Sequence, residues 1–243
     1  MRRKIVAIHQ PNYLPWAGYF LKMAACDVFV FHDNVQITKS GPTRRVKIAS
    51  ASPTDDGQWL TVPLKKHSDY SLIKDLEISW QNDWTQTHLK KIFYSYRKHP
   101  NFDFTYDQLE RWYDHAKNIN NLSELNIYLI RQIASVLKIQ KNFIKSTDLE
   151  VSGKADEYNR AISMSLGATD YLSGTGGIAY QNNSHFLNSG IEMKVINAKN
   201  LIEEYLQRLN ISHINPAYSV MELLMYFKDL RLLNEFINAK RFD

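Results

Sequence analysis

His9 and Gln10 close an apolar run, Ile5 to Ile8, and open a stretch of polar, aromatic and proline residues, Pro-Asn-Tyr-Leu-Pro-Trp, that ends at Trp16. Asp33 closes the next apolar run, Val28 to Phe31, with His32 before it and Gln36 just beyond. An imidazole and a carboxyl group are the side chains that serve as general bases near neutral pH, so His9 and Asp33 are the candidate catalytic pair. Gln10, Tyr13 and Gln36 supply hydrogen-bonding groups beside them. A basic cluster follows, Lys39, Arg44, Arg45 and Lys47, with Lys65 and Lys66 after the next strand. Arginine offers a two-pronged donor to phosphate or carboxylate, and Lys39, Arg45 and Lys47 are expected to hold such a group. Far along the chain, Ser173-Gly174-Thr175-Gly176-Gly177 directly follows a predicted strand, Thr169 to Leu172, so its backbone amides can approach an anion. It lacks the Gly-Lys-Ser/Thr ending of a nucleotide-triphosphate loop and the spacing of a dinucleotide fingerprint. Taken alone it is a tight turn; at a strand end it becomes a candidate ligand contact through Ser173, Gly174 and Gly176.

The elements that must position these groups are legible in the hydrophobic periodicity. Ile5 to Ile8, a helical pattern over Ala17 to Ala25, and Val28 to Phe31 form a strand–helix–strand unit. In open α/β sheets ligands bind outside the carboxyl ends of the strands, where His9, Gln10 and Asp33 fall. Pro11 and Pro15 suit a strand end and a helix start on their own account. Arg45 to Ala49 and Trp59 to Val62 form an expected hairpin around the turn Asp55-Asp56-Gly57, and Ile73 to Ile78 is expected to be extended. Helices are expected from Asp83 to His99-Pro100, Phe104 to Lys117 and Glu124 to Lys138. A second α/β unit follows, with a helix over Lys154 to Leu166, the strand at Thr169, another at Ile191 to Ile196, and a helical C-terminal part. The fold class is therefore α/β with a mainly parallel sheet, and the domain expectation is one unit over 1–243 with a helical insertion at about 80–150.

Composition bounds the function. The 243 residues suffice for a sizeable core, and 44% hydrophobic with 23% charged residues is ordinary for a globular protein. One cysteine, Cys26, leaves no internal disulfide and fits a reducing compartment. No run approaches the ~18 apolar residues that span a bilayer, so a cytoplasmic location without membrane insertion is expected. A net charge of +5 is too diffuse for a nucleic-acid binder. No compact metal-ligand motif is present, and no metal centre is expected.

The motifs in this order resemble the WbqC-like family of bacterial proteins over nearly the whole chain. The resemblance rests on Ile8-His9-Gln10-Pro11-Asn12-Tyr13-Leu14-Pro15-Trp16, Asp27-Val28-Phe29-Val30, Trp59-Leu60-Thr61-Val62-Pro63, Tyr171-Leu172-Ser173-Gly174, Gly176-Gly177, Tyr180 and Ser219 to Leu224. This chain departs from the family pattern at His32 and Asn34, where Leu-Asp-Asp is usual around Asp33, and at Arg44 and Val46, where Asn flanks the arginine. The family is associated with O-antigen and other surface-polysaccharide clusters, which implies a nucleotide-sugar substrate and adds Tyr180 to the candidate contacts. A fainter likeness of the opening segment to nucleotidylyltransferase-like, Rossmann-like folds brings ATP and Mg²⁺ as cofactors to consider. Two enzyme readings follow. One is N-acylation or aminoacylation of a nucleotide-linked amino sugar, and the other is nucleotidyl transfer with Asp33 placing the metal. A non-catalytic accessory role in polysaccharide assembly is the third.

Overall fold

The structure, a computed structural model, describes residues 3–52, 56–178 and 181–239. Strand β1 (Ile5–His9) leads through helix α1 (Ala17–Ala24) to β2 (Val28–Phe31), as the periodicity predicts. A separate antiparallel hairpin, β3 (Arg45–Ile48) and β4 (Gln58–Thr61), comes next, followed by α2 (Trp84–Tyr96), α3 (Phe102–Ala116) and α4 (Leu122–Val136). The chain then returns to the sheet as β5 (Asn142–Lys145), passes through α5 (Ala155–Ser165) to β6 (Asp170–Gly174), and turns at once into the short α6 (Thr175–Ile178). Helix α7 (Asn183–Leu187), β7 (Glu192–Ile196), α8 (Ala198–Arg208), α9 (Met221–Tyr226) and α10 (Leu230–Asn238) complete it.

The five-stranded sheet runs in the order β5-β2-β1-β6-β7 with every pairing parallel. This is a doubly wound α/β sheet. Growth proceeds outward from β1 in one direction through β2 and β5, then in the other through β6 and β7. The reversal lies between β1 and β6, and such a switch point leaves a crevice at the carboxyl ends of those two strands.

Alternation along each strand divides the core into two layers. Val6, Ile8, Val28, Val30 and Tyr171 pack on one face with Tyr158, Ile162 and Phe186 from α5 and α7. Ala7, Phe29, Phe31 and Leu172 pack on the other with α1, the hairpin, α2–α4 and the C-terminal helices. Both faces of the sheet are covered at its centre, which is why β1 and β2 read as unbroken apolar runs.

Two sequence expectations are corrected. Asn142–Lys145, inside the stretch assigned to a helical insertion, is the edge strand β5 paired with β2. With only four residues and two polar ends, it carries too little periodicity to be distinguished from loop. Ile73 to Ile78 is not a strand: Ile73–Asp75 is a single 3₁₀ turn, with Leu72 and Ile78 bridging singly to Gln36 and Leu64. Ile73, Leu76 and Ile78 are core anchors of a loop, and the spacing of two between Leu76 and Ile78 is one that a half-buried strand would share. No helix among the described residues is long and apolar enough to cross a membrane.

Candidate functional site

A cleft of about 470 Å³ opens at the switch point. Ile8, His9 and Gln10 from the end of β1, Ser173 and Gly174 from the end of β6, and Thr175, Gly176 and Gly177 line it. Trp16, Gly18, Tyr19 and Lys22 come from α1 and its start, with His32, Asn159, Tyr171, Gln181, Ile196 and Ala198 completing the wall. Two sequence segments about 165 residues apart thus meet because parallel pairing of β1 with β6 sets Ala7 beside Leu172.

The segment from His9 to Trp16 is held from many sides. Tyr19 Oη donates to the Gln10 carbonyl at 3.1 Å, Asn126 Nδ2 of α4 to the Pro11 carbonyl at 2.8 Å, and Ser219 Oγ to the Leu14 carbonyl at 2.8 Å. The Tyr13 amide donates to Pro42 O and the Val220 amide to Pro15 O. Leu14 sits at φ 39°, a left-handed conformation uncommon for a branched side chain, and these anchors over-determine it. Gly18 is required for a different reason: a Cβ there would lie 2.2 Å from the Trp16 ring, which covers this start of α1.

His9 has a defined tautomer. Its Nδ1 lies 3.1 Å from the Gln10 carbonyl, which can only accept, so Nδ1 carries the proton and Nε2 keeps its lone pair. Burial, with the Lys22 charge assisting, pushes its pKa down to about 3, and the ring is neutral throughout the physiological range. Burial likewise lowers His32 to about 4. Lys22, 6% exposed, donates from Nζ to the Ile8 carbonyl at 2.8 Å and is brought down by burial to about 8. No Asp or Glu is among the lining residues. His32, Asn159 and Gln181 each carry a buried polar atom without a partner: Nδ1, Oδ1 and Oε1 respectively. Leaving buried polar atoms without a partner is costly.

The other candidates lie elsewhere. Asp33, 2% exposed, receives Ser146 Oγ at 2.9 Å, the Thr147 amide at 3.2 Å and Thr147 Oγ1 at 2.9 Å. Its carboxyl group fastens the end of β2 to the turn after β5 and does not line the cleft. Tyr13 is fully buried among Trp84, His88 and Tyr113. It hydrogen-bonds Tyr113 and His88 Nδ1, while His88 Nε2 accepts from the Thr61 amide. Arg45 lies over the Trp59 ring at 4.4 Å and donates to Ser40 O, and Lys47 pairs with Asp56 at 2.7 Å. Gln36 and Lys39 are exposed away from the cleft lining, and Tyr180 falls outside the described residues.

A protein-held Mg²⁺ therefore finds no carboxylate in the cleft, and the residues present do not fit one. Nor do the described residues contain any group of three or more metal-ligating side chains. Lys22 was missed by sequence reasoning, although its signal was available: a single charge in the otherwise apolar helix Ala17–Ala24. Asn159 and Gln181 carried no such signal.

Asp33→Ala is expected to lower unfolding free energy by about 2–4 kcal/mol, since three donors lose a buried acceptor. Denaturant melts of the variant check this. A loss below about 0.5 kcal/mol would show that the turn after β5 does not depend on Asp33.

Comparison with known proteins places these features in a wider set. The pattern of the WbqC-like protein family matches residues 10–231. The chain is 32% identical over 178 residues to a Mycobacterium tuberculosis protein described as "Uncharacterized protein Rv1507c", covering 73% of this chain and 75% of that protein. No solved structure matches.

Proposed function

The chain belongs to the WbqC-like protein family, and within it we propose an enzyme of surface-polysaccharide assembly that joins an acyl or aminoacyl group to the amine of a nucleotide-linked amino sugar. The observation that carries this reading is the combination within one cleft of a neutral imidazole with a free Nε2, unpartnered amide oxygens and a lone cation. Amide oxygens accept from sugar hydroxyls and from an amine. The absence of carboxylates from the lining disfavours a cationic or metal-led substrate, and the cation suits a phosphorylated one.

In this mechanism His9 does not deprotonate a free ammonium ion, because a ring with a pKa near 3 is too weak a base for that. The neutral amine attacks the acyl carbonyl of the donor, forming a C–N bond and a tetrahedral adduct whose nitrogen is positively charged. That nitrogen is far more acidic than the starting ammonium. His9 Nε2 takes its proton, the adduct collapses with loss of the donor's leaving group, and the proton passes from His9 to that group. Nδ1–H, held on the Gln10 carbonyl, keeps the ring oriented for both transfers.

Nucleotidyl transfer with a metal on Asp33 is disfavoured by the position of that residue. An accessory role is the remaining alternative, and its mark would be a cleft without turnover. The test is to incubate purified protein with nucleotide-linked amino sugars and, separately, acyl-thioester donors or an amino acid with ATP. The expected product has a mass increased by the acyl or aminoacyl group. Release of pyrophosphate with incorporation of a nucleotide would favour nucleotidyl transfer, and no product with any pair would overturn the enzymatic reading.

A further inference from the structure

The cleft contains a cation that the protein itself does not neutralise. Lys22 is 6% exposed and forms no ion pair among the described residues. Its one hydrogen bond among the described residues is to the Ile8 carbonyl, which leaves two of the three ammonium protons uncommitted there. Cys26, nearby, is held as a neutral thiol by burial and supplies no counter-charge. His9 and His32, its neighbours in the lining, are neutral bases. Taking a charge out of water without a partner is expensive, so this arrangement is complete only when an anion enters.

Gly174 and Gly176 line the same cleft with open space where a side chain would stand: a Cβ added at either position would meet nothing within 4 Å. Main chain bare of side chains is what close approach of an oxyanion requires. Resting on the reading above, we propose that Lys22 and the main chain of Ser173 to Gly177 form the subsite for the phosphoryl group of the substrate. A phosphoryl group fits better than a carboxylate because its tetrahedral oxygens can meet a lysine point charge and several amides from different directions. Arg45 and Lys47, the basic residues first expected to do this, are committed to Trp59, Ser40 and Asp56.

Calorimetric titration with inorganic pyrophosphate tests the assignment on the wild type, Lys22→Met, Gly176→Val and an Arg45→Ala/Lys47→Ala double variant. The wild type is expected to bind, Lys22→Met to bind at least about 30-fold more weakly, and Gly176→Val, which fills the open space, roughly tenfold more weakly. The double variant is expected to stay within about twofold. Lys22→Met should melt no lower than the wild type, because an apolar side chain of similar length replaces an unpaired buried cation. If it fails to fold, Gly176→Val decides.

The subsite is overturned if the wild type does not bind pyrophosphate, if both cleft variants bind within twofold of it, or if binding is lost in the double variant alone. The outcomes separate from those of the transfer reading. Lys22-dependent pyrophosphate binding without any acyl product upholds the subsite and removes the transferase. Undiminished acyl transfer by Lys22→Met does the reverse.

Discussion

His9→Asn is expected to lower turnover roughly 10²–10⁴-fold while melting within a few degrees of the wild type. The shorter amide retains a donor for the Gln10 carbonyl but has nothing at the position of Nε2, so it removes the proton acceptor and little else. It also loses the edge contact with Tyr19, whose ring centroid is 4.6 Å away, and a small loss of stability follows from that. Turnover and thermal unfolding measured on one preparation distinguish the cases. If activity falls only in proportion to the melting temperature, His9 is a structural group. If a stable variant turns over at the wild-type rate, His9 has no part in proton transfer.

Mild acid is expected to destabilise the fold strongly, well above the pH at which exposed carboxylates protonate. His9 and His88 are depressed to about 3 and His32 to about 4, in each case chiefly by burial. The unfolded chain binds protons at these positions from about pH 6.5 downward and the folded chain does not. Their contribution is thus fully present above pH 6.5 and is lost as pH falls towards 4. Glu222 works in the opposite sense: burial raises it to about 8, so its folded form holds a proton that the unfolded chain takes up only near pH 4.5. Three histidines against one carboxyl group leave two protons net, or about 2.7 kcal/mol per pH unit and on the order of 5 kcal/mol between pH 6.5 and 4.5. Denaturant unfolding across that window checks the slope. His88→Gln should roughly halve it, and a flat profile would mean that these rings are charged in the folded protein.

Much of the sheet was legible because its strands are covered on both faces. Ile5 to Ile8 and Val28 to Phe31 are apolar runs for that reason, and each ends in the polar residues that the carboxyl edge exposes. The strand Asn142–Lys145 was not legible. It is an edge strand recognised by β2 through backbone hydrogen bonds, which the main chain of any residue but proline can make.

The candidate site divides in the same way. The residue types of His9, Gln10 and the glycine-rich segment, each placed directly after a strand, were enough to bring them to one edge, because parallel strands put all their carboxyl ends on the same side. Asp33 shares that edge and shares the spacing, yet its side chain turns to Ser146 and Thr147. Side-chain direction at a strand end depends on which donors a distant loop presents, and sequence adjacency carries no record of that. The basic cluster stands apart from the cleft for a related reason. Charge along a strand marks an exposed face, but Arg45 and Lys47 on the hairpin find their own partners and do not line the crevice.

The sequence by itself determined the strand–helix–strand opening, the parallel α/β class and the two segments that meet at the cleft, since hydrophobic period and strand-end position are local properties. Only the tertiary structure decided that β1 and β6 are neighbours, that Lys22 is buried without a counter-ion, and that His9 holds its proton on Nδ1. Those are consequences of strand order, desolvation and the direction of one carbonyl, and each arises from residues that are distant along the chain or from the backbone, where residue type has no say.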